Sequence, residues 1–311
     1  MSDIEGVAAV IAPTPGGPPR HAERRDKARS LAGDAWRDLR RNKIFWIAGI
    51  LVVLVLVMAA FPTLFTSVDP ADCALSRKHL GPSGSAYFGY DFQGCDVFAR
   101  TIYGARASIE VGVLATLISG VIGLAFGLGA GYFGGWLDAV LSRVIDVVLG
   151  IPFLLAAIVL AKRLSHDPQS NGVTAVIVTL GVLGWTTAAR VMRSSVIAAK
   201  NQDYVAAARM LGAGPARLMM RHILPNSVAS FIVVLTILLG VNIASEATLS
   251  FLGIGLKGDA ISWGIAINEA GPYVRSAAGP LIWPSLFLAV TVLAFIMLGD
   301  AIRDAFDPKL R

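Results

Sequence analysis

The chain is poor in charge, cysteine and histidine. Only 15% of its 311 residues are charged and 55% are hydrophobic, whereas soluble domains carry roughly a quarter charged residues. A globular protein of this size could not bury so much apolar surface. The composition therefore excludes an ordinary soluble domain and indicates an integral membrane protein. The net charge of +6 does not indicate nucleic-acid binding, because the basic residues lie between long uncharged runs.

Motifs that would mark an enzyme are missing. The sequence contains no GxxxxGK[ST] segment to cradle the phosphates of ATP and no GxSxG segment to present a nucleophilic serine. Its four histidines, His21, His79, His166 and His222, have no metal-ligand spacing. We therefore expect no catalytic residues, no metal and no cofactor in this chain, and a membrane enzyme is the least supported class.

Long apolar runs are what the chain has in abundance. A helix needs about 20 apolar residues to cross a bilayer. Six runs predict an all-α integral membrane fold with six transmembrane helices, at residues 44–68, 111–137, 137–161, 169–189, 223–245 and 276–299. The first run is span 1, and the other five belong to a membrane core at residues 108–299.

Lysine and arginine predict the orientation of these spans. Segments on one side of the predicted membrane, including both terminal segments, hold 19 of these residues, and segments on the other side hold eight. Because Lys and Arg accumulate in cytoplasmic segments, both termini are predicted to be cytoplasmic, in a multi-pass protein of the cytoplasmic (inner) membrane. No cleavable signal peptide is expected, because residues 1–43 contain no apolar core and span 1 is too long to be one.

The terminal segments are predicted to be cytoplasmic. Residues 1–30 mix proline, glycine and charge, which is typical of a disordered extension. Residues 31–43 form either an amphipathic helix at the cytoplasmic surface or a simple charged stop before span 1. Residues 300–311 are the cytoplasmic tail.

The predicted extracytoplasmic loop at residues 69–107 holds the only two cysteines, Cys73 and Cys95. That compartment permits disulfides. A bridge would close about 22 residues and contribute roughly 3 kcal/mol of stability. Two unpaired thiols remain the alternative.

Polar residues inside the spans are few and therefore informative. Asp146 lies in the third span, and Asn242 lies one turn before Glu246 in the fifth. They either line a polar translocation path or pair with nearby arginines and amides as links within the helix bundle. In the second span, Gly123 and Gly127 form a small-xxx-small pair that predicts close helix packing.

The segment at residues 200–225 is the most informative of the predicted cytoplasmic loops. Residues 206–208 are alanines that favour a helix, Gly212 and Gly214 with Pro215 interrupt it, and a second helical stretch is predicted to end before Pro225. A short helix, a turn and another helix, with three arginines (Arg209, Arg217 and Arg221), would suit docking into a partner's groove. An ordinary cytoplasmic loop has the same pattern.

This segment resembles the EAA loop of permease subunits in binding-protein-dependent ABC importers. The family pattern is Glu-Ala-Ala, three residues, Gly, nine residues, an apolar position and Leu-Pro. Here Ala207, Ala208, Gly212, Leu224 and Pro225 are in register, whereas Ala206 replaces the usual Glu and His222 a frequent Ile. Further similar stretches point to the "C" permease of the dipeptide/oligopeptide/nickel branch, at residues 103–106, 130–136, 249–253, 262–264 and 298–311. The likeness covers most of residues 36–311.

The resemblance implies a type I ABC importer permease that moves di- and oligopeptides. It implies a homologous second permease, two ABC ATPase subunits that bind ATP and Mg, an extracytoplasmic solute-binding (lipo)protein and the lipid bilayer as partners, and no nucleic acid. The ATPase-coupling element that it implies comprises Asp203, Tyr204, Ala207, Ala208, Arg209, Gly212, Arg217, Leu224 and Pro225. At Gly212 we expect a backbone with positive φ, which glycine adopts cheaply.

Other functions remain open at this point. Nickel or another small solute is an alternative cargo for the same architecture. An ion-coupled secondary transporter would typically show inverted repeats, and we find no convincing duplication. Its uptake would survive ATP depletion and collapse with the ion gradient. A polytopic scaffold without a transport role would not co-purify with nucleotide-binding subunits.

Overall fold

A computed structural model describes residues 31–165 and 171–306, most of them helical. The predicted extension at residues 1–30, the end of the tail at residues 307–311 and Gln169 lie outside the described residues. The helices of the described ranges are α1 (Leu31–Arg41), α2 (Lys43–Ala60), α3 (Val97–Phe133), α4 (Gly135–Gly150), α5 (Phe153–Leu164), α6 (Val173–Lys200), α7 (Asp203–Met210), α8 (Pro215–Arg217), α9 (Leu224–Phe251), α10 (Trp263–Ala270) and α11 (Gly279–Phe306).

Five helical stretches of the described residues are long and apolar enough to cross a membrane: α2, α3, α6, α11 and the continuous stretch Pro215–Phe251. The third predicted span is bent in the structure. Its residues form α4 and α5, which meet at an angle of 89°. Ile151 precedes Pro152 and is therefore extended, with φ −84° and ψ 128°. The described residues thus contain five candidate spans, or six if this bent pair is counted as one.

Prolines and capping residues also move the predicted boundaries. The helix of span 1 ends at Ala60 rather than at residue 68, because Phe61 precedes Pro62 and leaves the helical conformation. The second membrane helix begins at Val97, where the Asp96 carboxylate accepts the N–H of Ala99 at 3.0 Å. The predicted loop at 69–107 therefore includes the first turns of α3.

The helix around Pro225 does not end before that proline, contrary to the sequence-based prediction. A π-helical turn, Leu218–Ile223, precedes α9, and the Leu224 N–H bonds to the Met219 carbonyl five residues back. A proline lacks the N–H that would continue the α-helical pattern. The wider turn replaces the α-helical hydrogen-bonding pattern just before Pro225. In addition, the Ser227 hydroxyl donates to the Ile223 carbonyl at 2.9 Å and so gives this carbonyl a hydrogen-bond partner. The helix therefore continues from Pro215 to Phe251.

The core of the fold is the close contact between α3 and α6. A Cβ on Gly123 would lie 2.7 Å from the Cβ of Ala188, and one on Gly127 would lie 2.6 Å from the Ala189 carbonyl oxygen. A Cβ at either position would push the two helices apart. The predicted close packing of this glycine pair is therefore confirmed. Helix α9 packs against both α3 and α6, and α11 packs against α2 and α9.

Residues 61–96, which we call the cap segment, fold over the start of α3. Cys73 and Cys95 are joined by a disulfide in this structure. The Arg100 guanidinium bonds to Asp91 of the cap segment at 2.8 Å and to Glu269 of α10 at 3.3 Å. Burial raises the pKa of Glu269, although the nearby Arg100 cation opposes that rise. The cap segment is thereby fastened both to α3 and to α10.

Candidate functional site

The segment that resembles the EAA loop contains α7 and a tight turn at Gly212. The Ala213 N–H bonds to the Ala208 carbonyl at 3.1 Å, and the Gly212 N–H bonds to the Arg209 carbonyl at 3.0 Å. These two bonds form a Schellman motif, in which the residue after the helix is left-handed. Gly212 has φ +83°, as expected, and a Cβ placed there would meet nothing within 4 Å. The requirement for glycine at this turn is therefore one of backbone conformation and not of space.

One face of α7 is anchored in the protein. Val205 is fully buried and belongs to an apolar cluster that includes Val196 of α6 and Leu218 and Ile223 of the π-helical turn. Val205 thus packs α7 into the same apolar cluster as the end of α6 and the π-helical turn that precedes α9. The prediction did not include Val205 or Leu218, although both are apolar residues in a charged segment.

The other face of this loop exposes apolar side chains. Met210 and Leu211 are 83% and 89% exposed at the turn. Tyr204 is also exposed, and partial burial raises the pKa of its phenol. Most of the other predicted coupling residues lie at the surface: Asp203, Ala207, Arg209, Arg217 and Pro225 are exposed, and Ala208 and Leu224 are half-buried. An exposed apolar tip on a rigid base is typical of a docking surface.

Three interactions connect α6 to its neighbours beside this loop. Lys200, at the end of α6, donates to the Tyr132 carbonyl of α3. Arg193 binds Asp138 of α4 in a bidentate pair, with Nε–Oδ1 at 2.5 Å and Nη2–Oδ2 at 2.7 Å. A second pair joins α6 and α4 nearer the bend, between Arg190 and Asp146 at 2.7 Å. Asp146 is about half exposed.

A cavity of about 450 Å³ lies beside the bend between α4 and α5. Its wall includes the bend itself, residues of α6 and residues of α9. The polar side chains that line it carry hydroxyl or amide groups: Thr186, Thr187, Asn242 and Ser245. The cavity therefore presents neutral hydrogen-bonding groups next to the apolar residues of the bend.

Asn242 is the predicted path residue that lines this cavity. Its Nδ2 donates to the Thr116 hydroxyl oxygen at 2.9 Å, which fixes the orientation of the amide. Glu246, one turn further along α9, is fully buried and accepts hydrogen bonds from Ser108 and Ser250, each at 2.8 Å. Neither Glu246 nor Asp146 lines the cavity. The structure therefore does not bring the three predicted path residues together.

Comparison with known protein families shows to which family this chain belongs. Residues 123–311 match the binding-protein-dependent transport system inner membrane components. The chain belongs to this family. Residues 30–82 match the N-terminal TM domain of oligopeptide transport permease C. The chain is therefore a multi-pass inner membrane permease subunit of an ABC transport system and has no catalytic activity of its own.

Similar curated proteins match the permease over most of its length. The dipeptide transport system permease protein DppC of Bacillus subtilis (strain 168) is 39% identical, covering 91% of this chain and 87% of the relative. The oligopeptide transport system permease protein OppC of the same strain is 36% identical, covering 92% of each. The glutathione transport system permease protein GsiD of Escherichia coli O6:K15:H31 is 36% identical, covering 92% and 93%. The resemblance drawn from the sequence is confirmed.

A solved structure supports the permease fold. An inward-facing conformation of the MetNI methionine ABC transporter matches with a TM-score of 0.54 and 20% sequence identity. The match covers 66% of this chain and 96% of that chain. At this level of identity, the likeness concerns the fold alone.

Proposed function

We propose that this permease carries di- and oligopeptides across the cytoplasmic membrane, together with a homologous second permease. The observation that carries the proposal is the similarity to DppC and OppC permeases over more than nine-tenths of the chain. Two ABC ATPase subunits, which bind ATP and Mg, would supply the energy. A solute-binding (lipo)protein would deliver the peptide from outside.

The loop at residues 200–225 is the coupling element in this proposal. Its exposed tip, Met210 and Leu211, would enter a groove of an ATPase subunit, where burial of apolar side chains favours association. Because Val205 anchors α7 to α6 and to the helix that continues as α9, the loop would move as a lever with those helices. Such a lever is the two-state element that coupling between distant sites requires.

The two ion pairs between α6 and α4 extend this lever to the cavity. Arg193 and Arg190 hold α4 at Asp138 and Asp146, and α4 ends at the bend that forms part of the cavity wall. A shift of α6 caused by closure of the ATPases would therefore move the bend. This route links the coupling loop to the transport path through packed or hydrogen-bonded contacts at each step.

The chemistry of the cavity favours peptide as the cargo. The amide of Asn242 and the hydroxyls of Thr186 and Thr187 can exchange hydrogen bonds with the amide groups that every peptide carries, whereas the Ser245 hydroxyl already donates to the Val241 carbonyl of its own helix. These neutral groups do not select one side-chain charge. Selection among peptides would then fall to the solute-binding protein.

The orientation in this proposal follows from the distribution of Lys and Arg. Both termini and the loop at residues 200–225 are cytoplasmic, and the disulfide-bearing cap segment is outside. The segments 1–30, 31–43 and 300–311 retain their predicted roles as extension, surface helix and tail. A tag placed after Gly214 tests this topology, because it would be reached from outside intact cells only if the orientation were inverted.

Uptake by cells that carry the complete transporter tests the function. We expect labelled dipeptide to accumulate, and accumulation to stop on ATP depletion and to persist when the ion gradient alone is collapsed. Uptake that follows the ion gradient would favour a secondary transporter. Accumulation of ⁶³Ni without peptide uptake, or of glutathione alone, would keep the permease role and replace the cargo.

A further inference from the structure

The junction between α1 and α2 is a fixed corner at one end of the membrane helices. The Asn42 side chain caps α2 by accepting two backbone N–H groups of its first turn. The Trp46 indole donates to the Arg40 carbonyl at 3.1 Å, which fastens α2 back onto α1. Leu39 is buried against Ala305 near the end of α11. The corner is therefore held in place by the bond between α2 and α1 and by the packing of α1 against α11.

Three consecutive cations of this corner point into solvent. Arg40, Arg41 and Lys43 are exposed, and the ion pairs found in residues 31–165 and 171–306 include none of them. Arg40 lies 5.0 Å from the centre of the Trp36 ring, which is itself exposed. Cations that form no ion pair with another described residue, next to exposed indoles, are typical of protein surfaces at the level of lipid headgroups.

An apolar stripe runs along α2 from the last of these cations. Lys43, Ile47, Ile50 and Leu54 are spaced by four, three and four residues and so lie on one face of the helix. The three apolar members of the stripe are 55%, 63% and 50% exposed. The opposite face of α2, by contrast, is buried in the protein core.

We propose that this corner binds an anionic phospholipid. Arg40, Arg41 and Lys43 would hold its phosphodiester group, and an acyl chain would lie along the stripe formed by Ile47, Ile50 and Leu54. Trp36 would sit at the headgroup level. Basic residues next to a membrane are each worth about fivefold in affinity for an anionic surface.

The continuity of the two features favours a lipid over a soluble anion. A free phosphate would engage the cations alone, whereas the exposed stripe starts at Lys43 and extends for three helical turns into the hydrocarbon region. Because α1 also contacts α11, the bound lipid would hold the ends of α2 and α11 at a constant depth.

Lipid retention by the purified full transporter tests the proposal. We expect wild type to retain labelled phosphatidylglycerol at least tenfold more strongly than labelled phosphatidylcholine. The triple substitution R40Q/R41Q/K43Q should abolish that preference. These side chains are exposed, so the variant should remain folded, as checked by size-exclusion chromatography.

A second triple variant controls for the loss of charge. K162Q/K257Q/R275Q removes three exposed cations elsewhere and should leave the lipid preference unchanged. Equal loss of preference in both variants, or equal retention of the two lipids by wild type, would overturn the proposal. Inorganic phosphate or glycerophosphoglycerol should not displace the lipid, and displacement by either at millimolar concentration would reassign the corner to soluble anions.

Discussion

Arg193 of α6 holds Asp138 of α4 through two charge-assisted hydrogen bonds, at 2.5 and 2.7 Å. The two residues lie 55 positions apart in the chain. Asp138 belongs to the first turn of a helix whose other end forms the bend at the cavity, and Arg193 lies two turns before the coupling loop. This pair is therefore the first fixed point between the proposed lever and the proposed path.

The Arg193–Asp138 pair predicts a defect in coupling rather than in assembly. We expect Arg193→Gln and Asp138→Asn each to lower ATP-driven peptide uptake by about three- to tenfold, since a partly exposed bidentate pair is worth on the order of 1 kcal/mol. ATP hydrolysis by the purified transporter should fall less than uptake. The measurement is the number of peptides moved per ATP hydrolysed in proteoliposomes.

A charge reversal separates this role from simple loss of charge. The double variant D138R/R193D should recover part of the uptake that either reversal alone removes. Arg143→Gln is the matched control, because Arg143 is an exposed cation of the same helix without an ion pair in the described ranges. An equal defect in the Arg143 variant would show that α4 responds to charge in general.

Gly212 predicts a graded response to substitution. Its left-handed backbone costs a β-branched residue on the order of 2 kcal/mol, whereas asparagine adopts this conformation more easily. We expect Gly212→Val to abolish uptake with normal membrane insertion, and Gly212→Asn to retain most of it. Immunoblotting of membranes and peptide uptake are the two measurements.

Gly214 provides the matched control for Gly212. It has φ −70° and ψ 165°, which any residue adopts, and a Cβ placed there meets nothing within 4 Å. Gly214→Val should therefore transport normally. If both valine variants were inactive, bulk at the tip would explain the defect, and if both were active, the turn would have no role in coupling.

A feature of the fold could be predicted from the sequence when it is determined within one segment of the chain. The apolar runs predicted the membrane helices, and the glycine pair in α3 predicted its close packing, because both patterns lie within one segment. Pro152 was visible within the third run, yet hydropathy alone did not indicate an 89° bend there. The π-helical turn before Pro225 was missed for a similar reason, since it depends on how neighbouring side chains satisfy the free carbonyls.

The same distinction applies to the residues of the candidate site. The left-handed turn at Gly212 followed from its sequence context. The exposure of Leu211 and the burial of Val205 depend on how α7 packs against α6, which the sequence does not specify. The two ion pairs of α4 depend on the relative rotation of two helices. The sequence therefore left Asp146 open between a translocation path and a pair with a nearby arginine, and the structure pairs it with Arg190.

The Cys73–Cys95 bridge predicts a redox-sensitive stability of the cap segment. We expect the intact mass of the native protein to rise by two hydrogen atoms on reduction. Reduction should also lower the thermal midpoint of the transporter, because a bridge closing about 22 residues contributes roughly 3 kcal/mol. The double substitution C73S/C95S should give the thermal midpoint of the reduced protein, and reductant should not change that midpoint. Two free thiols in the unreduced protein would refute the bridge.

Asn242 predicts a change in transport without a change in stability. The Thr116 hydroxyl that accepts its Nδ2–H also donates to the Gly112 carbonyl at 2.7 Å, so Asn242→Leu leaves no buried donor unpaired. We expect this variant to insert and assemble normally and to lower uptake at subsaturating peptide by about five- to tenfold, the value of one lost hydrogen bond. Ser245→Ala is the control, because the Ser245 hydroxyl is already bonded to the Val241 carbonyl of its own helix at 2.8 Å. Equal effects of the two substitutions would mean that the cavity contributes space rather than a specific amide contact.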